Sequence, residues 1–265
     1  MLDQDILCAT DLSPASDEAV RAANTIAERI AARITLLHVL NRNERSEHGR
    51  DHALEVMNDQ IHRAGATDRT TAKALEGDFM KAIAEGSGEG HSLLVLATHG
   101  ARGLRQNLFG ADILKLVRHA ATPSLVVQEG LDHATLLRRI VLPVAAHADI
   151  DRLLDMVIAL AKAFAADVHV YQLVRPGESP SDELLANKLR MLERLQANNI
   201  RHEEVNDPST TFSIGFADAT IRYAERVGAG AIAIMAHASD EYRYIADAEK
   251  ERILANSPKI PVLCA

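Results

Sequence analysis

Ile6-Leu7-Cys8-Ala9-Thr10-Asp11-Leu12-Ser13-Pro14 is an apolar run too short and too aperiodic for a helix, closed by turn and cap residues. It returns 134 residues later as Ile140-Val141-Leu142-Pro143-Val144. The same spacing aligns the segment Ala27 to Ile34 with the segment Ala161 to Val168. Further along the spacing becomes 138, pairing Gly77 with Gly215, Ile83 with Ile221, Gly90 with Gly228, His99 with His237 and Pro123 with Pro261. The chain is therefore a tandem repeat with a change of four residues inside the unit.

Within the first repeat, Ile6–Thr10, Ile34–Leu40, Thr70–Leu75, Leu93–Ala97 and Ser124–Val127 read as strands. Between them, Ala19, Ala22, Ala23, Ile26 and Ile30 mark one face of a helix over Ala15–Ala32, with Pro14 suited to its first turn. Ser46–Ala64, Phe79–Glu85 and Asp112–His119 continue the alternation. The second repeat follows the same order, with strand runs Ile140–Val144, Val168–Val174, His202–Val205, Ala231–Met235 and Pro261–Cys264. Mostly apolar strands alternating with helices predict an α/β fold: two tandem doubly wound parallel-sheet domains, over residues 1–131 and 132–265. The link falls near Glu129 to Leu137, where periodicity fades.

Composition narrows the function. The 265 residues are 47% hydrophobic and 25% charged, as in folded globular chains. Against 29 Lys and Arg stand 37 Asp and Glu, a net charge of −8 that disfavours nucleic acid and anionic lipid surfaces. Aromatics are 3% and Trp is absent, so base-stacking platforms are not expected. Cys8 and Cys264 stand alone in apolar runs and read as buried small hydrophobes. The start of the chain lacks a signal-peptide pattern and no apolar run reaches a membrane span, so a cytoplasmic location is expected.

In open parallel sheets, ligands bind beyond the carboxyl ends of strands, where the winding reverses. In the first repeat this directs attention to Ala9-Thr10-Asp11 and to Ala97-Thr98-His99-Gly100-Ala101-Arg102-Gly103-Leu104-Arg105, which runs on to Gly110-Ala111-Asp112 and a helix. Glycines let the main chain approach a phosphate, a helix start offers free amides, and Arg102 and Arg105 add donors.

These residues, together with Leu36-Leu37-His38-Val39 and Thr122-Pro123-Ser124-Leu125-Val126-Val127, resemble the universal stress protein family over nearly all of residues 4–128. A fainter likeness over 138–265 makes the chain similar to the tandem two-domain members. The resemblance implies a five-stranded parallel sheet in order 3-2-1-4-5 in each domain. It also implies an adenine nucleotide (ATP, ADP or AMP, with Mg2+) in the first. By the family's Gly-x2-Gly-x9-Gly-Ser/Thr pattern, Gly100 and Gly110 match the last two glycines, while Ala97 and Ala111 replace the first glycine and the hydroxyl residue. Asp11 matches the acidic residue that meets the adenosine part, and Val39 the residue whose main chain meets the base. The lost hydroxyl removes one phosphate hydrogen bond, a net loss of about 0.5–1.5 kcal/mol. Asp112 adds a carboxylate near the expected phosphates, repulsive unless a divalent cation intervenes.

In the second repeat Ala145 replaces Asp11, and the loop around His237 lacks glycine at the positions of Gly100 and Gly110. That domain is expected to be a degenerate partner. Family members pair through their last strands, so an intramolecular pseudo-dimer seamed at Ser124–Val127 and Pro261–Cys264 is implied, with a homodimer as a further assembly.

Other motifs read blandly. Glu85-Gly86-Ser87-Gly88-Glu89-Gly90 precedes a strand, the wrong end for a phosphate loop. His48 and His52 have the spacing of a metal pair but no third ligand, and read as a solvated face. Ser13, Asp11 and a histidine lack the Gly-x-Ser-x-Gly elbow of a hydrolase. Leu185, Leu189, Leu192 and Leu195 predict the covering face of an amphipathic helix. The expected function is a regulatory nucleotide switch in stress adaptation rather than an enzyme, slow ATP hydrolysis aside. The rival is an interaction protein in which both pockets have decayed, and an adenylating enzyme is disfavoured for want of a catalytic lysine beside the loop.

Overall fold

The computed structural model describes residues 2–98, 110–177, 179–208, 215–237 and 243–265. The chain divides into two compact units, Met1–Leu131 and Asp132–Ala265.

Unit 1 alternates β1 (Asp5–Thr10), α1 (Pro14–Ile30), β2 (Ile34–Leu40), α2 (Glu47–Arg63), β3 (Thr70–Glu76), α3 (Phe79–Ser87), β4 (His91–Thr98), α4 (Gly110–His119) and β5 (Ser124–Gln128). All pairings are parallel and the order is β3-β2-β1-β4-β5. Winding reverses between β1 and β4, which opens a crevice at their carboxyl ends. Unit 2 follows with β6 (Arg139–Pro143), α5 (Asp151–Phe164), β7 (Asp167–Val174), α6 (Asp182–Ala197), β8 (His202–Pro208), α7 (Phe216–Arg226), β9 (Ala231–Ile234), α8 (Arg243–Leu254) and β10 (Val262–Cys264). Its order, β8-β7-β6-β9-β10, is the same winding, so both units are doubly wound five-stranded sheets in order 3-2-1-4-5.

The repeat extends to register. Ile6 lies opposite Ile34 as Ile140 lies opposite Val168, and Leu94 opposite Ser124 as Ile232 opposite Val262. Central strands are covered on both faces, so Ile6, Leu36, Leu94 and Leu125 in unit 1 and Ile140, Val168, Ile232 and Val262 in unit 2 are buried. The edge strand β8, His-Glu-Glu-Val-Asn-Asp-Pro, is mostly exposed, and its charge protects an open edge from further pairing. Helices begin where cap chemistry dictates: Ser13 accepts from Ser16 N ahead of Pro14, Ser46 accepts from Gly49 N, and Ser181 accepts from Leu184 N. The helices α1 and α5 both end on an alanine at positive φ, Ala31 at 55° and Ala165 at 50°.

One expectation is corrected. On α6 the buried stripe is Asn187, Met191 and Leu195, whereas Leu185 and Leu189 are 45% and 56% exposed. The helix turns that way because Asn187 Nδ2 donates to the carbonyls of Ala145 and His147, both at 2.9 Å, binding α6 to the segment after β6. Cys8 and Cys264 are free and buried, and burial pushes the Cys8 thiol up and that of Cys264 up to about 12. His48 and His52 are exposed on α2.

Candidate functional site

The chain leaves β1 through a tight corner. Leu12 takes positive φ at 65°, and its amide donates to Thr10 Oγ1 at 2.9 Å. This turns Asp11 outward while Thr10 stays buried. One carboxylate oxygen, Asp11 Oδ1, accepts from Ser13 N at 3.0 Å, from the Ser13 hydroxyl at 2.5 Å and from the Ser16 hydroxyl. Three donors on one oxygen fix the plane of the carboxylate.

Behind the corner lies a buried polar layer that sequence reading missed. The Thr10 hydroxyl donates to Gln60 Oε1 at 2.9 Å, and Gln60 Nε2 donates to Asp17 Oδ1 at 2.7 Å. Arg63 clamps Asp17 through Nε at 3.2 Å and Nη2 at 3.0 Å. His38 Nδ1 meets the Thr10 carbonyl at 2.9 Å and its Nε2 meets Glu44 Oε2 at 3.0 Å. Glu44 Oε2 also accepts from Asn41 N at 2.8 Å, so His38 ties the end of β1 to the loop after β2. The only sequence signal was the polar character of His38 and Gln60 at otherwise apolar positions.

The structure brings several expected site residues together. Ala9, Thr10, Asp11, Ser16, Ala97 and Leu116 line one pocket, with Phe79 from the first turn of α3 on its wall. Thr10 pairs with His38, so Asp11, just past the end of β1, and Val39, still within β2, follow one step beyond. Gly110 is the first residue of α4. Asp112 lies in that helix's first turn, 3.6 Å from Lys115 Nζ, so its charge has a partner within its own helix. His99, Gly100, Arg102, Gly103 and Arg105 lie outside the described residues, as does the side chain of Ala111. Among the described residues no group of three or more His, Cys, Asp or Glu gathers as a metal site, and no helix is long and apolar enough to cross a membrane.

The corresponding crevice of unit 2 has different walls. Pro143, Ala145, Ile150 and Met235 stand at the repeat positions of Ala9, Asp11, Ser16 and Ala97, and all four line a pocket. His147, Phe216 and Lys250 line it too. Burial, with Lys250 and His237 nearby, pushes the His147 imidazole down to about 4, leaving it neutral at neutral pH.

Two doubly wound α/β modules, each with its crevice at the reversal of winding, define the class: a tandem protein of the doubly wound parallel-sheet architecture. Residues 4–128 match the universal stress protein family. That match spans nearly all of unit 1, and unit 2 repeats the same order of strands, so the chain is similar to two such modules in tandem. A universal stress protein from Archaeoglobus fulgidus superposes at TM-score 0.71 and 18% identity, covering 99% of this chain and 96% of that one. A functionally unknown protein from Pseudomonas aeruginosa superposes at 0.60 and 18% identity, covering 98% and 92%. At such identities the likeness speaks for the fold. No curated protein matches the chain.

Proposed function

We propose that unit 1 binds an adenine nucleotide, ATP, ADP or AMP, and that occupancy of this site rather than turnover is its signal in stress adaptation. The observation that carries the reading is the Asp11 carboxylate, oriented by Ser13 and Ser16 at the mouth of the β1–β4 crevice. A carboxylate whose plane is fixed in this way is a group suited to the hydroxyls of a nucleoside. Ala9, Thr10 and Ala97 offer a floor with small side chains, and by the family resemblance the main chain at Val39 would meet the base. Phosphates would extend toward the start of α4 at Gly110, where amides and the helix dipole favour an anion. In the same reading His99, Gly100, Arg102 and Gly103 supply the loop before α4, and Mg2+ enters on the phosphates with Asp112 near them.

Calorimetric titration of ATP, ADP and AMP, with and without Mg2+, tests this on the full chain. Saturable heat that disappears in Asp11→Asn and in Gly110→Asp, with the melting temperature preserved, is the expected result. Affinity unchanged in both variants removes the site from consideration. Ala97 and Ala111, which depart from the family's pattern, favour a second reading, an interaction protein with no nucleotide. Absence of heat at millimolar nucleotide would decide for it.

A further inference from the structure

The crevice of unit 2 has lost the chemistry of a nucleoside site and gained another. Where unit 1 has Asp11, Ser16 and Ala97, unit 2 has Ala145, Ile150 and Met235, so a carboxylate, a hydroxyl and a methyl give way to one methyl and two long apolar chains. Phe216 and Ile253 complete an apolar wall. At the repeat position of Asp112 stands Lys250, a reversal of charge. Asp112 is half-exposed on α4, whereas Lys250 lines the pocket and is 8% exposed.

Placement of that lysine is built, not incidental. Its Nζ donates to the carbonyl of His237, just beyond β9, so the ammonium is held at the carboxyl ends of the strands. Asn187 fastens the carbonyls of Ala145 and His147 and so fixes another part of the lining. A basic head on an apolar wall matches a ligand with one anionic end and an aliphatic body. The anion gains a charge-assisted hydrogen bond in a poorly hydrated site, and the chain gains burial against Ile150, Met235 and Phe216. Methionine suits such a wall because it repacks around chains of different shape.

We propose that the crevice of unit 2 is a site for a short aliphatic carboxylate, its carboxylate at Lys250 and its chain against Ile150, Met235 and Phe216. A nucleotide does not fit this pattern: nothing at Ala145 receives ribose hydroxyls, and the apolar side chains of Ile150 and Met235 stand where unit 1 has Ser16 and Ala97.

Hexanoate is the probe, titrated into the full chain and followed by amide and methyl NMR shifts at Ala145 and Ile150. Half-saturation of this ligand of about eight heavy atoms at about 1 mM requires a per-atom efficiency somewhat above that of drug-sized ligands and within the range open to small ones. The expected result is saturation in that range, loss of about tenfold or more in affinity in Lys250→Met, and retention in Lys250→Arg. Hexan-1-ol, equal in chain but neutral, should bind about tenfold or more weakly. Asp11→Asn should leave hexanoate binding unchanged, which separates this site from that of unit 1. No saturable shift by about 20 mM overturns the proposal, as does equal affinity for hexan-1-ol. Unaltered affinity in a folded Lys250→Met overturns it too. Should Lys250→Met not fold, the hexan-1-ol comparison on the unaltered chain decides.

Discussion

Gln60 Oε1 accepts the hydroxyl of Thr10 at 2.9 Å, joining the last turn of α2 to the last residue of β1. Both side chains are buried, and the same glutamine donates to Asp17 Oδ1 at 2.7 Å. The corner that carries Asp11 is thus held from behind by a residue fifty positions away in sequence.

Gln60→Leu should therefore cost about 1–3 kcal/mol, because the buried Thr10 hydroxyl loses its acceptor. Thr10→Val removes the same bond and also the acceptor of Leu12 N. In urea denaturation the double variant should lose less than the two singles together, since they share one interaction. Strict additivity would show that the bond contributes nothing.

Backbone crowding sets a second expectation. A Cβ on Gly230 would lie 1.8 Å from the Thr135 carbonyl oxygen and 2.7 Å from Leu137 N, where the chain passes closely on its way into β6. Gly230→Ala should cost about 3 kcal/mol or more, since backbone must move apart. At Gly228, φ is +62° and no atom lies within 4 Å of the added carbon, so Gly228→Ala pays only the left-handed penalty of about 1–2 kcal/mol. Melting temperatures should rank native, Gly228→Ala, Gly230→Ala in descending order.

The α6 helix separates hydrophobicity from burial. Leu185→Gln and Leu189→Gln should leave stability within about 0.5 kcal/mol, as exposed substitutions do. Asn187→Leu should destabilise by about 1–3 kcal/mol because two part-buried carbonyls lose their shared donor. Chemical denaturation of the three variants measures the contrast.

The same helix shows what could be read in the sequence. Strands were legible because buried parallel strands are written as apolar runs, while their order 3-2-1-4-5 was implied only by the family resemblance; the spacings of 134 and 138 residues persist as paired register at Ile6 and Ile140 and at Leu94 and Ile232. At the site, Asp11 and Ala97 were legible because ligands gather at strand ends where winding reverses. Gln60, Asp17 and Asn187 were not. Each is a polar residue in an amphipathic helix, and only tertiary packing shows that Gln60 takes the Thr10 hydroxyl, that Asp17 takes the Gln60 amide, and that Asn187 serves two carbonyls of the segment after β6. Leucines on α6 misled for the converse reason: periodicity reports apolar spacing, not which face meets the sheet.

His147 makes unit 2 sensitive to acid. Burial, with Lys250 and His237 beside it, pushes its imidazole down to about 4, below the ordinary value of about 6.5 that it regains on unfolding. Between those values the unfolded chain binds a proton that the folded chain refuses, so protonation favours unfolding. Stability associated with His147 is therefore complete above about pH 6.5 and is lost progressively as pH falls toward about 4. His147→Gln keeps a polar side chain without a proton to gain, and it should flatten this part of the profile. Melting curves of both proteins from pH 7 to about pH 4 should converge as acidity rises, the native chain losing more on the way down. Parallel curves across that range would mean that His147 meets the same surroundings folded and unfolded, contrary to its place in the pocket beside Lys250.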